Sequence, residues 1–77
     1  MKKSTIDLHG IAREDAFMLI EDELLLMSSR GPFTLDVITG NSEGMKRGVI
    51  DVCERYGFDY YTSAYNMGVI TIMYQPI

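Results

Sequence analysis

The chain is predicted to be an α/β two-layer sandwich, a four-stranded mixed sheet with two helices on one face. Three observations predict it. Short β-prone runs alternate with longer runs of helical period in the order βαβαββ. Glycine and proline punctuate nearly every junction between them. The last two β-prone runs are separated only by Asn66-Met67-Gly68, a hairpin-type connection.

The first strand is expected over residues 4–9, where alternation sends Ile6 and Leu8 to one face and Asp7 and His9 to the other, and Gly10 ends it. A helix follows from Arg13 to Met27, because Phe17, Ile20, Leu24 and Met27 recur at intervals of three, four and three, with Ala16 and Leu19 widening the stripe. Gly31 and Pro32 stop it. Phe33 to Thr39 reads as the second strand, with Leu35 and Val37 facing one way and Asp36 and Ile38 the other. The loop Gly40 to Gly44 leads to a second helix that places Met45, Val49 and Cys53 at four-residue intervals and closes at Gly57. Asp59 to Tyr65 and Val69 to Tyr74 are the third and fourth strands.

Handedness fixes the topology. With both helices on one face, two right-handed crossovers step in the same direction, so strand 2 lies beyond strand 1 and strand 3 beyond strand 2. Strand 4 is the most continuously apolar and fits an interior slot between strands 2 and 3, antiparallel to both. The expected order is 1-2-4-3. His9-Gly10 and Thr39-Gly40 then lie side by side beyond the carboxyl ends of parallel strands, where open α/β sheets tend to bind ligands.

Seventy-seven residues with 47% hydrophobic and 23% charged side chains suit one globular domain, residues 1–77, with a thin core. No apolar run approaches the roughly 20 residues that cross a bilayer, so no membrane association is expected. Met1 to Thr5 lacks the apolar stretch of a signal peptide, and a single cysteine, Cys53, has no disulfide or zinc partner, so a cytoplasmic location is expected. The net charge of −4 disfavours indiscriminate nucleic-acid binding. It leaves room for a local positive spot where Lys46 and Arg47 follow the glycine loop.

Two motifs resemble a known family. Ile6-Asp7-Leu8-His9-Gly10, followed by a helix carrying Asp15-Ala16, is similar to the Leu-Asp-Leu-His-Gly opening of Smr (small MutS-related) domains. Val37-Ile38-Thr39-Gly40-Asn41-Ser42-Glu43-Gly44-Met45-Lys46-Arg47 resembles the family's second signature, a strand ending in His-Gly or Thr-Gly with a glycine-spaced loop and a basic residue early in the next helix. The likeness runs to Gly68-Val69-Ile70. It implies a two-layer α/β fold like the C-terminal domain of bacterial translation initiation factor 3, and a nucleic-acid-binding domain with DNA-nicking or RNA-cleaving activity. The alternative is a noncatalytic module that binds RNA, a ribosomal surface or a protein partner.

Cleavage would rest on Asp7 and His9, since phosphodiester chemistry needs a general base and charge neutralisation, and a carboxylate beside an imidazole supplies part of both. Asp36, on the same open face as Asp7, would complete a ligand set for Mg2+ or Mn2+. Without that chemistry Asp7 simply caps the loop and His9 bonds across to the second glycine motif. Nucleic-acid binding is expected from Gly10, Thr39, Gly40, Asn41, Ser42, Gly44, Lys46 and Arg47: glycines let main-chain N–H groups converge, and a helix N-terminus adds partial positive charge. The plain alternative is a strand-to-helix turn in which Asn41 and Ser42 are caps. Tyr60, Tyr61 and Tyr65 are strand formers that could also stack on bases. The Asp59–Tyr65 edge could pair two copies into a homodimer.

Overall fold

The computed structural model describes residues 2–63 and 65–75. Its elements are β1 (Lys2–Asp7), α1 (Arg13–Ser28), β2 (Phe33–Ile38), α2 (Glu43–Tyr56), β3 (Asp59–Thr62) and β4 (Val69–Tyr74). They form one mixed sheet in the order β1-β2-β4-β3, the order expected from right-handed crossovers together with the apolar character of β4. β1 runs parallel to β2, and β4 is antiparallel to both β2 and β3.

One side of the sheet carries the core. Leu8, Phe33, Leu35, Val37, Ile70 and Ile72 pack with Ala16, Ile20, Leu24 and Met27 of α1 and with Met45, Val49, Val52 and Cys53 of α2. The strict alternation of burial along β2 is what a strand covered on one face produces. At the end opposite the glycine motifs, Phe33, Phe58 and Tyr74 form an aromatic cluster with ring centroids 5.5–6.0 Å apart. The other side of the sheet is uncovered by any described element, and the register lays Thr5, Asp36, Thr71 and Tyr61 in one row across it.

Three strands differ from expectation at their limits, β2 by one residue, since it ends at Ile38 and not at Thr39. β1 starts at Lys2 and ends at Asp7, because Lys2 and Lys3 pair with Phe33 and Thr34 through the main chain, whatever their side chains prefer. His9 therefore lies beyond the strand, in a turn closed by the Ile11 N–H donating to the Leu8 carbonyl at 3.1 Å. β3 ends at Thr62, since β4 offers it partners only from Ile70 to Met73. Tyr65 is fully exposed beyond it, and Ala64, in the expected strand, lies outside the described residues.

Candidate phosphate-binding mouth

Four short segments meet at the carboxyl ends of β1 and β2. The first is the turn Leu8-His9-Gly10-Ile11, with Gly10 at φ +83°, the left-handed position that a type II turn reserves for glycine. Asp7 holds this turn: its Oδ1 accepts the His9 main-chain N–H at 2.9 Å. The acid thus serves the backbone of His9, while the imidazole stands exposed with no hydrogen-bond partner among the described residues.

His9 lies against the second segment, Thr39-Gly40. A side chain built on Gly40 would put its Cβ 3.6 Å from His9 Cδ2, and Gly40 itself has φ +65°. The third segment is Gly68, whose own Cβ position lies 3.4–3.5 Å from the Gly40 main chain. Its carbonyl accepts from the N–H groups of Thr39 (2.8 Å) and Gly40 (3.1 Å) and lies 3.2 Å from the Thr39 hydroxyl. Thr39 is buried, its hydroxyl satisfied by this junction. The Thr39 and Gly40 N–H groups are thereby consumed in joining β2 to the start of β4. Gly68 was legible only as a turn residue, because its role depends on where β4 enters the sheet.

The fourth segment is the start of α2. Ser42 is its N-cap, accepting the Met45 N–H on Oγ at 3.2 Å, while Asn41 is exposed and makes no cap bond. Glu43 and Gly44 contribute first-turn N–H groups that no carbonyl of the helix can reach. Onto Gly44 is laid the guanidinium of Arg13: a Cβ at position 44 would sit 2.2 Å from its Cζ. Arg13, the first residue of α1, is exposed and has no ion-pair partner among the described residues. Its place at this mouth depends on how α1 lies against α2, which an arginine near the first motif does not reveal.

Lys46 and Arg47 stand elsewhere. Lys46 forms an ion pair with Glu43 at 3.6 Å, and both cations line a groove of α2 toward β3 with Asp51, Glu54, Ile50 and Thr62. Three carboxylates there outnumber two cations, so that groove offers little to phosphate. Tyr60 donates from its hydroxyl to Glu54 at 3.0 Å, which raises its pKa above the ordinary value.

The divalent-ion expectation meets an unsuitable donor set. Asp36 accepts a hydrogen bond from Thr71 Oγ1 at 2.8 Å, and the register sets it opposite Thr5 rather than Asp7. That offset separates the two acidic Cα atoms by about 8 Å. Among the described residues no three His, Cys, Asp or Glu side chains converge as metal ligands would. Asp36, engaged by Thr71 and two residues out of register with Asp7, is not drawn toward Asp7 and His9 in this arrangement. Cys53 is buried, its thiol pushed up to about 11 by desolvation, which leaves it protonated and unreactive at neutral pH.

No helix among the described residues is long and apolar enough to cross a membrane. Comparison with known proteins returns no match to a family model, to a curated protein or to a solved structure.

Proposed function

We propose that this chain is an Smr-like nucleic-acid-binding domain that grips backbone phosphate at the mouth between His9, Gly40 and the start of α2. The observation that carries the reading is Arg13 lying on Gly44. A free guanidinium, two unmatched main-chain N–H groups and the positive end of the α2 dipole address the same small region. The Asp7-Leu8-His9-Gly10 and Thr39-Gly40 motifs support it by bounding the other side of that region.

Each residue has a physical task. Arg13 donates in a bidentate fork to a phosphate, with Glu43 and Gly44 N–H groups completing the contact. Gly40 adds no side chain beside His9, and Gly44, lacking a Cβ, leaves room for the Arg13 guanidinium. His9 offers its imidazole edge to the same phosphate or to a neighbouring sugar. Asp7 preserves the turn that presents His9. Binding without turnover is the favoured reading, because Asp7 Oδ1 accepts from the His9 main-chain N–H and, among the described residues, no hydrogen bond joins an acid to the His9 imidazole.

The test is a fluorescence titration of labelled single-stranded and duplex RNA and DNA with the parent, Arg13→Gln, His9→Ala and, as a control remote from the mouth, Arg55→Gln. Arg13→Gln should weaken binding about tenfold and Arg55→Gln hardly at all. Equal affinity of parent and Arg13→Gln, or no binding by the parent, would overturn the proposal. The same nucleic acids, incubated with Mg2+ or Mn2+, should remain intact; cleavage that disappears in a folded Asp7→Asn variant would instead restore a catalytic role.

A further inference from the structure

The first helix is apolar on two opposite sides. Its inward side, Ala16, Ile20, Leu24 and Met27, is buried in the core. On the outward side Met18 is 65% exposed, Leu19 41%, Leu25 42% and Leu26 47%, and no described element covers them. A helix with apolar residues around most of its circumference is ordinarily buried on both sides.

The spacing of these four residues is regular. Met18 and Leu25, like Leu19 and Leu26, are seven residues apart, two turns or about 10.5 Å along the axis. At about 100° per residue the four span an arc of about 120°. This is the periodicity with which one helix receives another. Asp15 and Asp22 project from the middle of the same arc, and Glu14 stands at its rim. All three are exposed and form no ion pair among the described residues. Glu21, by contrast, is engaged by Arg55 at 3.0 Å and by the Tyr56 hydroxyl at 2.7 Å.

These charges choose the occupant. A second copy of α1 would bring Asp15 and Asp22 against their own counterparts, and carboxylates opposed at an interface repel. An anionic lipid surface is disfavoured for the same reason. A helix that alternates leucine-like residues with lysine or arginine satisfies both the stripe and the acids. We infer that the outward face of α1, Met18, Leu19, Leu25 and Leu26 with Asp15 and Asp22, docks a basic amphipathic helix of a protein partner. The surface is distinct from the phosphate-binding mouth, so the inference stands independently of the nucleic-acid reading.

The probe is an 18-residue Leu/Lys peptide patterned at helical period, with a Leu/Glu peptide of the same pattern as its counterpart. Amide chemical shifts of the labelled protein are followed during titration, and affinity is measured by fluorescence. The Leu/Lys peptide should bind saturably and shift residues on the outward face of α1, whereas the Leu/Glu peptide should not bind. Leu25→Ala combined with Leu26→Ala, which keeps all charges and the core, should weaken binding at least tenfold. Asp15→Asn with Asp22→Asn should weaken it several-fold and flatten its salt dependence. Tyr61→Ala, on the far side of the sheet, should have no effect, and thermal unfolding confirms that every variant folds. The inference is overturned by equal binding of both peptides, by shifts confined to the sheet or the mouth, or by no binding. Self-association through α1 that excludes the Leu/Lys peptide would overturn it equally, by making a second copy the occupant.

Discussion

Asp7 shows how one side chain can decide between chemistry and architecture. Its Oδ1 accepts the His9 N–H, a role that an amide oxygen performs equally well and a methyl group cannot. Asp7→Asn should therefore keep both stability and nucleic-acid affinity close to the parent, while Asp7→Ala should cost about 1 kcal/mol of stability, read by urea unfolding. Loss of function in a fully stable Asp7→Asn protein would show that the charge itself is used. Cys53 gives the residue scale its pH dependence. Burial raises the folded thiol from 9.0 to about 11, so folding favours the protonated form. The resulting stability is complete below about pH 9 and is lost as pH rises through about 11, a span of about 2–3 kcal/mol. Tyr56, raised chiefly by its hydrogen bond to Glu21, loses stability in the same direction. Comparing unfolding of the parent and Cys53→Ala between pH 8 and 11 isolates the thiol, and the variant should show the shallower decline.

At the scale of elements, the start of α2 separates binding from folding. Ala is more favourable than Gly inside a helix by about 0.8–1 kcal/mol. At Gly44 the nearest atoms to a new Cβ are all at the tip of the flexible, exposed Arg13, which can swing away. Gly44→Ala should thus raise stability by up to about 1 kcal/mol and at the same time lower nucleic-acid affinity. At Gly48 the Cβ would fall 2.1 Å from the Phe17 ring, which is packed between the helices. Gly48→Ala should lower stability by about 1 kcal/mol, the overpacking outweighing the propensity gain, and both signs can be checked by thermal unfolding. The same elements show what a sequence exposes. Periodicity locates α1, β2, α2 and β4 because their buried residues recur at helical spacing in the helices and alternate in the strands. The ends of β1 and β3 were misplaced because they depend on how far a neighbouring strand extends, which no local pattern encodes.

The whole molecule explains what remained hidden in the site. Chain order and handedness suffice to bring His9-Gly10 beside Thr39-Gly40, since β1 and β2 are parallel neighbours. They do not specify the azimuth of a helix on its sheet. That azimuth turns Lys46 and its i,i+3 partner Glu43 toward β3, and it brings Arg13 across from α1 onto α2. An acidic protein is left with Arg13, without an ion pair among the described residues, at the start of α2, and with an apolar, acid-studded helix face elsewhere. Electrostatic binding at such a spot depends on few contacts, so its salt dependence counts them. The most direct test of the proposed phosphate-gripping mouth is the slope of log affinity against log salt concentration for single-stranded RNA, measured for the parent and Arg13→Gln. A slope smaller by about 0.7 in the variant, together with weaker binding at every salt concentration, is the predicted result. Parallel, superimposable lines for the two proteins would contradict it.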